Sequence, residues 1–155
     1  PTGLGALETM RLEKAFRDMG HDIDSTDTPL EAGLGFAVAW DKPGGFIGRD
    51  ALLKQRDAGP PTQRLVNVLL DSPDHYLFGD EPVYWDGAPI GHVRSGGFGH
   101  SLGAACGIAG ISRDEGITAA ALAAGTFEID VAGTRVPTQV SLKPFFDPGR
   151  SRILC

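Results

Sequence analysis

The sequence predicts an α+β fold: an N-terminal helix-and-loop segment packed on a small antiparallel, Greek-key-like β-barrel. Three observations point there. Leu12, Ala15, Phe16 and Met19 recur at helical spacing near the N-terminus. Phe127, Ile129 and Val131 alternate with Glu128 and Asp130, the pattern of a strand with one wet face. Asp86-Gly87 separates Val83-Tyr84-Trp85 from Ala88-Pro89-Ile90, a two-residue hairpin turn between strands. The 22 glycines and 11 prolines in 155 residues supply the turns that many short strands need.

The elements follow in order. Residues 4–19 read as a helix that Gly20 stops, with Arg11 beside Leu4, Leu7 and Ala15 on its apolar side. An arginine so placed requires a carboxylate or carbonyl partner. Residues 21–35 form a turn-rich loop. Phe36-Ala37-Val38-Ala39-Trp40 reads as a short buried strand that Pro43-Gly44-Gly45 breaks. A second helix spans about Arg49 to Gln55, and Gly59-Pro60-Pro61 marks a hinge, dividing the chain into residues 1–60 and 61–155. Leu65–Leu70 is a strand. Ala104–Ile111 is apolar throughout and fits strand or helix equally. Residues 117–124 form a short helix or a loop. Ala132-Gly133 turns the chain from the 127–131 strand into Thr134–Val140.

Composition narrows the function. A net charge of −6 leaves no basic stripe to neutralise phosphates, so nucleic acid is not an expected partner. No apolar run approaches the roughly 20 residues of a membrane span, so no membrane partner is expected. Two cysteines, Cys106 and Cys155, are too few for a disulfide framework and read as a core residue and a terminal thiol. A reducing compartment fits that usage. The chain opens on Pro1 without an initiator Met, as a piece of a longer protein does.

Several motifs invite chemistry that the rest of the sequence does not support. Gly99-His100-Ser101-Leu102-Gly103 matches the G-x-S-x-G nucleophile elbow. That chemistry requires a histidine after the serine, and all four histidines (His21, His75, His92 and His100) precede Ser101. Gly97-Phe98-Gly99 lacks the third glycine of a dinucleotide fingerprint. The scattered histidines form no metal-ligand spacing, so no metal site is expected. Asp22, Asp24, Asp27 and Glu31 lack the ligand rhythm of an EF-hand and read as a solvated, helix-capping loop. Phe36 and Trp40 are aromatics suited to stacking on a flat ligand or to a core.

One ordered set of residues says more. Met10-Arg11-Leu12-Glu13-Lys14-Ala15-Phe16-Arg17 is followed by Gly20-His21-Asp22-Ile23-Asp24, then Thr28-Pro29-Leu30-Glu31-Ala32-Gly33-Leu34-Gly35-Phe36, then Phe46-Ile47-Gly48-Arg49-Asp50-Ala51-Leu52. Glu81-Pro82-Val83-Tyr84, Ser95-Gly96-Gly97-Phe98-Gly99-His100 and Lys143-Pro144-Phe145-Phe146-Asp147-Pro148 extend the pattern. Together they resemble the folate-binding aminomethyltransferase module of the glycine cleavage T-protein and of the dimethylglycine and sarcosine dehydrogenases. The last run resembles that family's closing E-P-x-Y-D-P signature, with Phe146 where Tyr is common. The Arg-Leu-Glu-Lys-Ala-Phe-Arg run is more similar to the dehydrogenases than to the T-protein.

The resemblance implies that residues 1–60 end the folate-binding domain and that residues 61–155 are its C-terminal β-barrel domain. It implies a flavin-linked N-methylglycine dehydrogenase whose FAD domain lies upstream, with tetrahydrofolate taking the one-carbon unit from an N-methylated amine. The family's catalytic aspartate lies in the upstream part, so no catalytic residue is expected here and the fragment alone is expected to be inactive. Phe36 matches an aromatic that faces folate in the dehydrogenases. Arg150 matches a C-terminal position associated with the ligand, where an arginine pairs with the carboxylates of the glutamate tail. Arg11 is the third candidate folate contact, with a helix-locking role as its other reading. Leu7 departs from the pattern, since the T-protein carries a folate-binding arginine there. Two other readings stand beside this one: a stand-alone aminomethyltransferase of the glycine cleavage system, and a non-catalytic structural barrel. The resemblance implies a bacterial cytoplasm or a mitochondrial matrix as the expected compartment, with the chain expected to pack against N-terminal domains of its own protein.

Overall fold

The structure is a computed structural model, and it describes residues 2–152 and Leu154. Cys155, read above as a terminal thiol, lies outside the described residues. Six strands form a closed barrel: β1 (Gln63–Leu70), β2 (Pro82–Trp85), β3 (Ala88–Gly99), β4 (Ala104–Ser112), β5 (Phe127–Val131) and β6 (Thr134–Ser141). Their order around the barrel is β1-β4-β3-β2-β5-β6, and every pairing is antiparallel. The 71–81 return carries the chain past its neighbours, so that β1 lies beside β4 and not β2, which is a Greek-key arrangement. Closure gives each of these strands a neighbour on both sides.

The barrel interior is filled by Val66, Val68 and Leu70 of β1, Val93 of β3, Ala105, Ala109 and Ile111 of β4, Ile129 of β5 and Val136 of β6. Leu77, from the long return, is fully buried in the same cluster. A Cβ on Gly96 would lie 2.5 Å from Leu77 backbone and Cβ atoms, so only glycine admits this close approach.

β4 reads as apolar throughout because it is covered on both faces. Ala105 and Ala109 point inward, whereas Cys106 and Ile108 join Leu65, Leu12 and Ala32 in a second cluster beneath the N-terminal segment. Two-sided burial removes the alternation that normally reveals a strand. The region left open between helix and loop at 117–124 contains α3 (Ala119–Ala124), capped where Thr118 Oγ1 accepts from the Ala121 N–H at 3.0 Å.

The N-terminal segment differs from its sequence reading in two places. α1 spans Leu4–Glu13 and does not continue to residue 19. It ends in a Schellman motif, with Phe16 N–H bonded to the Arg11 carbonyl at 2.9 Å and Ala15 N–H to the Leu12 carbonyl at 3.0 Å. Ala15 takes the left-handed conformation at φ 58° that a glycine normally supplies, and the motif stops the helix well before Gly20. Leu4, Leu7, Phe16 and Met19 are exposed, and the buried residues of α1 are Arg11, Leu12 and Glu13. Residues 36–40 form no buried strand. A 3-10 turn spans Gly35–Ala37, and Phe36 is 85% exposed. α2 spans Arg49–Asp57. No helix among the described residues is long and apolar enough to cross a membrane.

Candidate functional site

The loop that displays Phe36 is held from several sides. Thr28 and Glu31 form a capping box: Glu31 Oε2 accepts from the Thr28 N–H at 2.9 Å, and Thr28 Oγ1 accepts from the Glu31 N–H at 3.3 Å. Ala32 N–H then bonds to the Thr28 carbonyl and Leu34 N–H to the Pro29 carbonyl. Trp40 Nε1 donates to the Gly35 carbonyl at 3.2 Å, and Arg49 donates to the Trp40 carbonyl from Nε and Nη2. These bonds fix the turn on which Phe36 stands. The Phe36 ring is 85% exposed and belongs to neither apolar cluster among the described residues.

Phe36 borders a cavity of about 350 Å³ whose walls include Leu30, Pro61, Arg56 and Arg64. Arg17 lies under its Gly33 wall, where a Cβ would come within 3.1 Å of Arg17 Nη2. Burial lowers the pKa of Arg17, Asp22 opposes that shift, and the charge of Arg64 adds to it. Burial also lowers the pKa of Arg64.

Arg11 is placed differently. Its Nε donates to Glu8 Oε2 at 2.8 Å, Nη2 to Ser95 Oγ at 2.9 Å, and Nη1 to Asp22 Oδ2 and the Phe16 carbonyl. All three guanidinium nitrogens are thus engaged, and the side chain is 9% exposed. Asp22 is fully buried, which corrects its reading as part of a solvated acidic loop. Its Oδ2 also accepts from the Asp18 N–H at 2.8 Å. Asp27 leaves the solvated group too, pairing with Arg94 Nη1 at 2.9 Å.

A β-bulge makes this lock possible. Val93 pairs with Ala109 and Ser95 with Ile108, so Arg94 is the extra residue in β3. Two successive side chains, Arg94 and Ser95, therefore both reach the N-terminal segment, Arg94 its loop and Ser95 its helix. Arg94 bonds to the Asp22 carbonyl and the Asp27 carboxylate, and Ser95 receives Arg11. The sequence carries no local mark of that bulge.

Arg150 is exposed on the C-terminal turn at φ 56°, and it does not line the Phe36 cavity. That turn is built around Asp147. Burial opposes the Asp147 charge, but hydrogen bonds from Ser151, Arg152 and Lys14 hold the carboxyl down at about 2. Lys14 Nζ also donates to the Asp147 carbonyl at 2.8 Å, tying the closing signature to the end of α1. Ser101 is exposed in the β3–β4 turn, where its N–H donates to Glu13 Oε1 at 2.6 Å. Glu13 is buried, and its family-motif position thus serves the barrel. No group of three or more His, Cys, Asp or Glu side chains among the described residues is arranged to hold a metal ion.

Comparison with known proteins gives this geometry a family. The model of the glycine cleavage T-protein C-terminal barrel domain matches residues 63–147, the span from the first residue of β1 to Asp147. The chain belongs to that family. The glycine cleavage T-protein N-terminal domain model matches residues 1–42, which include α1 and the Phe36 turn. A 4-methylaminobutanoate oxidase (formaldehyde-forming) of Paenarthrobacter nicotinovorans is 45% identical over 151 residues, covering 97% of this chain and 18% of that protein. An aminomethyltransferase of Rippkaea orientalis is 38% identical over 146 residues, covering 94% of this chain and 38% of that protein. The T-protein-type chain described here thus spans well under half the length of these relatives. The crystal structure of the glycine cleavage system aminomethyltransferase T from Bartonella henselae superposes with a TM-score of 0.77 at 24% identity over 95% of this chain, a match of fold.

Proposed function

We propose that this T-protein-type module contributes to a folate site in a flavin-linked N-methyl amine oxidoreductase, where tetrahydrofolate accepts the one-carbon unit. The observation that carries the reading is Phe36: a large aromatic on a turn fixed by the Thr28–Glu31 box and the Trp40 bond, exposed at the mouth of a cavity. A flat pteridine or benzoyl ring stacks on such a face. The oxidase likeness at 45% identity supports an amine oxidoreductase over a stand-alone aminomethyltransferase.

Within this reading Phe36 contacts the ligand ring, Arg150 is a candidate contact on the sequence likeness alone, and Arg11 acts through Asp22 and Ser95 by holding α1 against the barrel. The residues present suit a ring and an anion. They include no dinucleotide fingerprint, so a flavin would be held by upstream residues. Sarcosine and dimethylglycine are the substrates the sequence likeness suggests, with other N-methylated amino acids in the same class. The test follows the one-carbon unit in the full-length protein turning over an N-methylated amine. The expected result is free formaldehyde without tetrahydrofolate and methylenetetrahydrofolate in its presence. Identical formaldehyde release under both conditions contradicts the proposal.

A further inference from the structure

The cavity beside Phe36 holds one guanidinium, that of Arg64, with no partner among the described residues. The Arg64 guanidinium has no hydrogen bond or ion pair among the described residues, and its buried Nε has no acceptor. A buried donor without a partner costs on the order of 1–3 kcal/mol, more when charged. Arg17, behind the Gly33 wall, bonds to the Ala32 and Ala15 carbonyls, and the Asp22 charge favours its charged form while that of Arg64 opposes it. Arg56 stacks on Trp40 at 5.1 Å and meets only its exposed neighbour Asp57, a surface pair of little energetic weight. Among the described residues no carboxylate lines this cavity. Glu31 lines the adjoining one with Arg64, but its oxygens accept from Thr28 and Gln55.

A pocket with the unpartnered Arg64 guanidinium, a second arginine (Arg56) paired with an exposed neighbour, apolar walls from Leu30 and Pro61, and an aromatic ring at its rim suits one chemical class: a flat ring carrying a carboxylate. We propose that Arg64 and Arg56, which line the cavity where Arg150 does not, bind in place of Arg150 the carboxylates of the glutamate tail of the ligand whose ring stacks on Phe36. This rests on the folate reading of Phe36 and extends it to residues that carried no signal in the sequence. The arginine fork pairs with a carboxylate through two parallel N–H···O bonds, and binding supplies the acceptors that Arg64 lacks.

The test compares tetrahydrofolate with tetrahydropteroate, the same ring system without the glutamate, by equilibrium titration of the full-length protein and of its Arg64→Gln and Arg56→Gln variants. The expected result is tetrahydrofolate binding tighter than tetrahydropteroate by on the order of tenfold or more. Either variant reduces that ratio toward one and leaves tetrahydropteroate affinity in place. Arg56 is exposed on α2, so Arg56→Gln answers the question even if Arg64→Gln fails to fold. Equal affinity for both ligands, or an unchanged ratio in both variants, overturns the tail assignment while the Phe36 reading stands. Failure of both ligands to bind overturns the Phe36 reading and the tail assignment with it.

Discussion

Arg11 and Asp22 form a pair that neither side chain tolerates losing alone. Breaking a buried ion pair at one partner leaves the other charge stranded, at a cost of about 3–5 kcal/mol. Arg11→Met is therefore expected to destabilise the chain by that amount in urea unfolding, and the Arg11→Met/Asp22→Asn double variant to recover a large part of the loss. The need for a partner was legible in the sequence, because an arginine among apolar positions of a helix implies one. The partner was not: Asp22 stands in a run of acidic residues, and nothing local separates a fully buried carboxylate from its solvated neighbours. Gly125 offers a second test at this scale. A Cβ there would lie 2.1 Å from Trp85 Nε1, and the Trp85 ring is packed against Phe127 at 4.7 Å between centroids. Gly125→Ala is expected to cost about 1–3 kcal/mol through overpacking, read as a lower denaturation midpoint at unchanged slope.

Elements were legible where local pattern and tertiary burial agree. The Asp86-Gly87 turn and the 127–131 strand follow from turn chemistry and alternation alone, and both form as read. α1 fails at its C-terminus because Ala15 accepts a left-handed conformation, which apolar spacing does not disclose. The 36–40 run fails because Phe36 serves a surface. Turn chemistry also yields a prediction. Ala132 sits at φ 52° before Gly133 at φ 86° in the β5–β6 hairpin, a position that Asn tolerates better. Ala132→Asn is expected to stabilise the chain by about 0.5 kcal/mol, seen as a raised Tm. The C-terminal turn makes a pH-dependent contribution. Its Asp147 carboxyl is held below the usual range, at about 2, so that its contribution is complete above the unfolded pKa near 3.8 and fades as pH falls toward 2. Acid titration of Asp147→Asn is expected to lack this component, whereas an identical acid profile in both chains contradicts it.

At the scale of the molecule, one barrel carries two apolar layers, an interior and an outer patch under α1 and its loop. The outer patch ties the T-protein N-terminal match to the barrel, and the Phe36 turn is joined to the barrel where the Leu65 N–H donates to the Glu31 carbonyl at 2.8 Å and Ala32 is buried in that patch. Class and strand content were readable because turns and alternation are local. The bulge, the two-faced burial of β4 and the arginine cavity arise from contacts between distant segments, as Arg11–Ser95 shows across 84 positions. The central claim is that this fixed scaffold displays Phe36 to a folate ring. The most direct measurement is an equilibrium titration of the full-length protein with tetrahydrofolate, repeated on Phe36→Ala. Because Phe36 is 85% exposed, the variant is expected to melt with the parent protein yet bind at least about tenfold more weakly. Unchanged affinity in Phe36→Ala, or no binding by the parent protein, contradicts the account.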